Sequence, residues 1–174
     1  MQDKRSLRTS MRTVRAAIAA DPVGRHARSA RIWSRIVAAT GLDATRRVML
    51  FEGLPTEPET DGWFAWCRDH DVAVFAPEVA GPDLRVVSRG TSSPGDGTIG
   101  PTLDVTLLDV VVVPGLAFTA DGRRLGQGGG HYDRFLPRLR AGCVTVGAAF
   151  AEQLVADLPT EPHDVRLDLV VTDA

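Results

Sequence analysis

Between an apolar run, LLDVVVV (107–113), and a helix-like segment, YDRFLPRLR (132–140), lies the stretch PGLAFTADGRRLGQGGGHYDRF (114–135). Gly126, Gly128, Gly129 and Gly130 fall within five residues. Glycine lets backbone N–H groups turn inward and approach a ligand closely, and a following helix N-terminus adds partial positive charge. Both suit phosphate oxygens. Arg123 and Arg124 before the glycines and Arg134 after them are placed to add charge-assisted hydrogen bonds. The loop matches neither GxxxxGK[ST] nor GxGxxG, so a glycine-rich turn serving chain geometry stays as the alternative. Asp133, in the first turn of the next helix, either balances the helix dipole or holds Mg²⁺, a hard cation that takes one or two carboxylates plus phosphate oxygens. Asp164, in LPTEPHD before the last apolar run, is its candidate partner.

These residues need a frame. Leu7, Met11, Val14 and Ile18 repeat at helical spacing over 3–20, with Arg5, Arg8, Arg12 and Arg15 around the rest. Asp21 and Pro22 read as the N-cap and first turn of a second helix, which Gly41 ends. The period then changes: 47–52, 71–77, 83–88, 107–113, 143–150 and 166–171 read as strands. Helix-length segments intervene at 60–70, 131–140 (short or kinked, because of Pro137) and 151–158. Residues 89–102 read as a surface loop. Apolar strands alternating with helices predict a single-domain layered α/β fold, residues 1–174, with a mostly parallel β-sheet flanked by helices. In such sheets ligands sit outside the carboxyl ends of the strands, where the glycine-rich segment falls.

The 174-residue chain is long enough for a sizeable core. No apolar run approaches a membrane span. The N-terminal 20 residues are basic like a transit peptide, but their periodicity assigns them to the fold. Cys67 and Cys143 lie in neither a CxxC nor a Cys/His ligand spacing, and Cys143 opens an apolar strand where a buried thiol is expected. The expected compartment is the cytoplasm. Residues 1–47 carry eleven Lys and Arg against three acids, and the remainder nine against nineteen. Lys4 is the only lysine.

The segment GRRLGQGGGHYDRFL resembles the signature of the 5-formyltetrahydrofolate cyclo-ligase family, which typically reads R-L-G-x-G-K/x-G-Y/F-Y-D. KRSLR, RVMLFEGLPTEPET and LPTEPHDVRLDLVVTD resemble three further family segments in order and spacing. The resemblance implies an α/β domain that uses ATP and Mg²⁺ to convert 5-formyltetrahydrofolate into 5,10-methenyltetrahydrofolate, with release of ADP and phosphate. It also implies roles. Lys4 and Arg8, one helical turn apart, would contact ATP phosphates. Arg124, Leu125, Gly126, Gln127, Gly128, Gly129, Gly130, His131 and Tyr132 would form the nucleotide loop, with Arg124 and Tyr132 catalytic. Glu52 and Glu57, together with Gln127 to His131, would meet the folate, and Asp133 and Asp164 would bind Mg²⁺. Trp63 and Trp66 either pack on a flat ring or belong to the core. Gly129 stands where many members have lysine, and His131 where Tyr or Phe is usual. Small-molecule partners, no nucleic acid, no membrane and a monomer are the expectations. Two other readings stay open: a divergent homologue acting on another small molecule, and a noncatalytic nucleotide- or RNA-binding protein using the basic helices. The acidic remainder of the chain weighs against the last.

Overall fold

Both leading helices start where the sequence supplies a cap. In the computed structural model, which describes residues 3–89, 100–159, 161 and 164–174, α1 (Lys4–Ala19) follows Asp3, whose carboxylate accepts the Ser6 N–H. In α2 (Pro22–Thr40) Asp21 accepts from Gly24 N–H, Pro22 takes the first turn, and Gly41 ends the helix at φ 60°. α1 buries Leu7 and Met11 against Leu116, Ala117, Leu125 and Leu158. The basic N-terminal segment is thus part of the packed fold.

The remaining elements in chain order are β1 (Arg47–Met49), α3 (Asp61–Asp69), β2 (Ala73–Ala80), β3 (Asp83–Ser88), β4 (Thr102–Leu103), β5 (Val110–Val113), β6 (Ala117–Phe118), β7 (Arg124–Leu125), α4 (His131–Phe135), β8 (Val144–Ala149) and β9 (Leu169–Thr172). The main sheet has seven strands in the order β4-β3-β2-β1-β5-β8-β9, and β6 pairs with β7 separately. The pairs β1–β2, β1–β5, β5–β8 and β8–β9 are parallel. The sheet is therefore mostly parallel, as the alternation predicts. The arm β2–β3–β4 is antiparallel, joined by the two-residue turn Gly81–Pro82 with Gly81 at φ 63°, a conformation that glycine adopts freely.

Side chains alternate across the sheet. Val48, Leu50, Val74, Val110, Val112 and Val146 pack with Ile32, Trp33 and Ile36 of α2 and Trp63 and Phe64 of α3. Met49, Phe75, Val111 and Val113 pack on the other face with Phe118, Phe135 and Leu136. Burial on both faces explains why β5 reads as unbroken valine.

Two local expectations change and a third is met. Residues 151–158 are not a helix. Only Ala151–Gln153 form a 3₁₀ turn; Val155 N–H then donates to Phe118 O, and the Gln153 amide donates to Gly115 and Leu116 O. The segment spends its hydrogen bonds on the loop after β5. The helix expected to be short or kinked at 131–140 is so: α4 ends at Phe135, and a 3₁₀ turn, Leu136–Arg138, carries Pro137. In the expected loop 89–102, residues 90–99 lie outside the described residues, and Thr102 belongs to β4. Among the described residues no helix is long and apolar enough to cross a membrane.

Candidate active site

The chain leaving β1 (Phe51, Glu52) and β5 (Pro114, Gly115) opens a cavity of about 450 Å³ at the carboxyl end of the sheet. α1 supplies Lys4 and Arg8, and residues 124–133 supply the opposite wall. Glu57, Glu161 and Asp164 complete the polar lining; Phe51, Leu54, Pro77, Val79 and Leu84 form an apolar side. Every residue to which the family resemblance gave a nucleotide, folate, metal or catalytic role lines this cavity. The apolar side is not legible in the sequence. Leu54 and Val79 are 53% and 64% exposed, and isolated exposed apolar residues carry no signal on their own.

The glycines have distinct local reasons. Gly128 sits at φ 114° and Gly130 at φ 67°, a region that side chains with a Cβ rarely enter. Gly129 has ordinary backbone, but a Cβ there would lie 2.9 Å from Cδ2 of His131. Contacts from α1 brace the loop: Arg8 Nε donates to Gly126 O at 3.1 Å, and Arg12 Nη2 to Gln127 Oε1 at 3.4 Å.

Of the three arginines that flank the glycines, only Arg124 lines the cavity. Arg123 pairs with Asp121 and Asp157. Arg134 donates to Pro82 O and to Gly129 O, and His131 Nδ1 also bonds Pro82 O at 3.0 Å. These two side chains tie the loop to the β2–β3 turn. α4 has five residues, too short for the dipole the sequence reading invoked, so the side-chain cations carry most of the positive charge.

The ionised groups are cross-paired. Arg124, only 5% exposed, holds Asp133 at 2.6 Å and lies 5.5 Å from the Tyr132 ring centre. The Tyr132 hydroxyl and Arg124 Nε are buried with no hydrogen-bond partner among the described residues. Burial raises the Tyr132 phenol above its ordinary range. Lys4 Nζ lies 3.0 Å from Asp164 and 3.2 Å from Glu161, while Glu161 N–H donates to Asp164. Glu52 pairs with Arg89.

Arg15, grouped with the outer arginines on sequence, is instead 2% exposed. It pairs with Glu57 at 3.2 Å and bonds Thr56. The missed signal is its spacing four residues after Met11 on the buried face. Among the described residues no three His, Cys, Asp or Glu side chains form a metal cluster. Two carboxylates fit Mg²⁺ only with phosphate and water completing its oxygens. Trp63 stacks on Trp33 at 5.4 Å and donates to Ser29 O; Trp66 packs on Trp33 and His70. Neither lines the cavity, so both belong to the α2–α3 packing.

A sequence profile described as the 5-formyltetrahydrofolate cyclo-ligase family matches residues 1–173. A 5-formyltetrahydrofolate cyclo-ligase from Mus musculus is 28% identical over 193 aligned positions, covering 97% of this chain and 92% of its own. One from Escherichia coli (strain K12) is 45% identical over 71 positions, covering 40% and 39%. The solved structure of a 5,10-methenyltetrahydrofolate synthetase from Mycoplasma pneumoniae superposes with a TM-score of 0.84 at 24% identity, covering 99% of this chain and 100% of its own, and so shares the fold. On a profile match running from residue 1 to residue 173, the chain belongs to the 5-formyltetrahydrofolate cyclo-ligase family.

Proposed function

We propose that the protein uses ATP and Mg²⁺ to convert 5-formyltetrahydrofolate into 5,10-methenyltetrahydrofolate, releasing ADP and phosphate. The carrying observation is one cavity that joins three cations and two carboxylates around a glycine loop to an apolar side closed by Glu57. The N5-formyl oxygen is a poor leaving group. Transfer of the γ-phosphoryl group to that oxygen activates the formyl carbon; N10 attacks it, and phosphate departs with the oxygen. Such a transfer depends on positioning and charge stabilisation more than on a covalent nucleophile.

In this reading Lys4, Arg8 and Arg124 bind phosphate oxygens, and residues Gly126 to Gly130 shape the backbone around them. Asp133 and Asp164 hold Mg²⁺, which when bound offsets charge on the transferring phosphates. Gln127 to His131 also border the folate. Phe51, Leu54 and Val79 offer flat apolar contact, and Glu52 and Glu57 accept from the polar edge of the pterin. Arg124 and Tyr132 act nearest the reacting atoms: Arg124 stabilises developing charge, and the buried Tyr132 hydroxyl, kept protonated by burial, remains a donor. The free, buried Cys67 and Cys143 support the cytoplasm as the compartment.

The test mixes the full chain with ATP, Mg²⁺ and 5-formyltetrahydrofolate and follows methenyltetrahydrofolate absorbance. Absorbance growth that needs all three supports the reading. Nucleotide binding without turnover of this folate would favour a divergent homologue acting on another small molecule.

A further inference from the structure

We propose that Arg15, which does not line the cavity, is a positioning residue for its folate end. The inference rests on the proposed function and concerns α1. Lys4, Arg8, Arg12 and Arg15 lie within about 80° of one another around the helix and span roughly 16 Å along it. Each reaches a different part of the site: Asp164, Gly126 O, Gln127, and the Thr56–Glu57 turn. A guanidinium almost wholly removed from water is costly to keep. An apolar side chain between Met11 and Ile18 would pack α1 without that cost. Arg15 also leaves Nη1 buried without a partner among the described residues, so packing alone does not account for it.

What Arg15 does achieve is local. Nε donates to Thr56 O at 3.1 Å, and Nη2 to Thr56 Oγ1 at 2.7 Å, with Glu57 Oε1 at 3.2 Å. Glu57 Oε2 accepts Leu54 N–H at 3.0 Å, and Glu57 N–H closes the turn on Leu54 O at 2.8 Å. Both carboxylate oxygens therefore have fixed partners, and Glu57 borders the cavity with a set orientation. That is how an acceptor is preorganised for the N–H donors at the polar edge of a reduced pterin. Nucleotide phosphates, on the far side of the helix stripe, do not depend on it.

Calorimetric titration with 5-formyltetrahydrofolate and, separately, with a nonhydrolysable ATP analogue plus Mg²⁺ tests this in the full chain. Arg15→Lys keeps the charge and loses the fork. It is expected to weaken folate binding roughly ten- to hundredfold, the scale of a charge-assisted hydrogen bond, and to leave the ATP analogue within about twofold. In a Glu57→Gln background, adding Arg15→Met should cost no further folate affinity, because the group it positions is already gone; the double variant itself leaves no lone buried charge. Equal loss of both ligands, unchanged folate affinity in Arg15→Lys, or a further folate loss in the double variant would overturn the proposal. An unaltered chain that binds no folate would instead refute the proposed function itself.

Discussion

Replacing Asp133 by asparagine is expected to remove most of the effect of Mg²⁺ on nucleotide binding. In the wild-type site Arg124 is held by Asp133 at 2.6 Å, with side-chain exposures of 5% and 23%. Lys4 is held by Asp164 at 3.0 Å, with exposures of 20% and 19%. A nucleotide without Mg²⁺ must take each cation from its carboxylate and leave that carboxylate beside the phosphates. One charge-assisted hydrogen bond of this kind contributes about 1.5–3 kcal/mol net, or about tenfold to a hundredfold in Kd. Solvent screening is limited at this burial. Asp133→Asn keeps the shape and removes the charge. It should bind a nonhydrolysable ATP analogue in EDTA at least about tenfold more tightly than wild type, while losing most of the gain that excess Mg²⁺ gives wild type. Asp164→Asn should behave alike but less strongly, because Lys4 keeps Glu161 at 3.2 Å. Isothermal titration of the analogue with and without Mg²⁺ measures both quantities. Asn variants that bind the Mg²⁺-free analogue no better than wild type, and keep its full Mg²⁺ response, would refute the reasoning.

Gly128→Val and Gly130→Val force a β-branched residue to φ 114° and φ 67°, at about 1–3 kcal/mol of strain; each should weaken the ATP analogue tenfold or more by calorimetry. Gly129→Lys returns the family's cation to the loop only by moving the His131 ring, which a Cβ would meet at 2.9 Å. Tighter analogue binding is therefore expected in Gly129→Lys/His131→Ala but not in Gly129→Lys alone. Burial pushes Cys67 up to about 12 and Cys143 up to about 11, so neither thiol should react with a thiol reagent at pH 8 until the chain unfolds. Because these folded values exceed the unfolded ones, the thiols' contribution to stability is complete below the ordinary thiol range. It should fall as pH rises from about 9 towards about 12, measurable by denaturant titration.

Much of the frame is legible from local rules. Asp21, Pro22 and Gly41 mark α2 at both ends, and valine runs buried on both faces mark β5. The glycine loop is legible because positive φ at Gly128 and Gly130 restricts residue type. Partnerships are harder. Arg123, Arg124 and Arg134 look equivalent in sequence, yet Asp157, Asp133 and Pro82 O each claim a different one. Residues 151–158 have helical composition, but Phe118 O, more than thirty residues earlier, takes the Val155 N–H. Arg15 and Glu57 meet across 42 positions, and an arginine at a buried helix position is read as solvent-facing until its carboxylate is known.

The hydrogen bond between Lys4 and Asp164 joins residues 160 positions apart, and this gives the site a history within each molecule's synthesis. Two of the three cations in the lining, Lys4 and Arg8, belong to α1, and the carboxylates that answer Lys4 are added nearly last. A growing chain can build α1, α2 and most of the sheet while its nucleotide pocket still lacks one wall. Closing so long a loop costs only slightly more entropy than closing a shorter one, but such distant contacts slow the search that forms them. A polypeptide interrupted before residue 161 therefore carries Lys4 without either counter-charge, and ligand capture becomes a report that translation has passed that point.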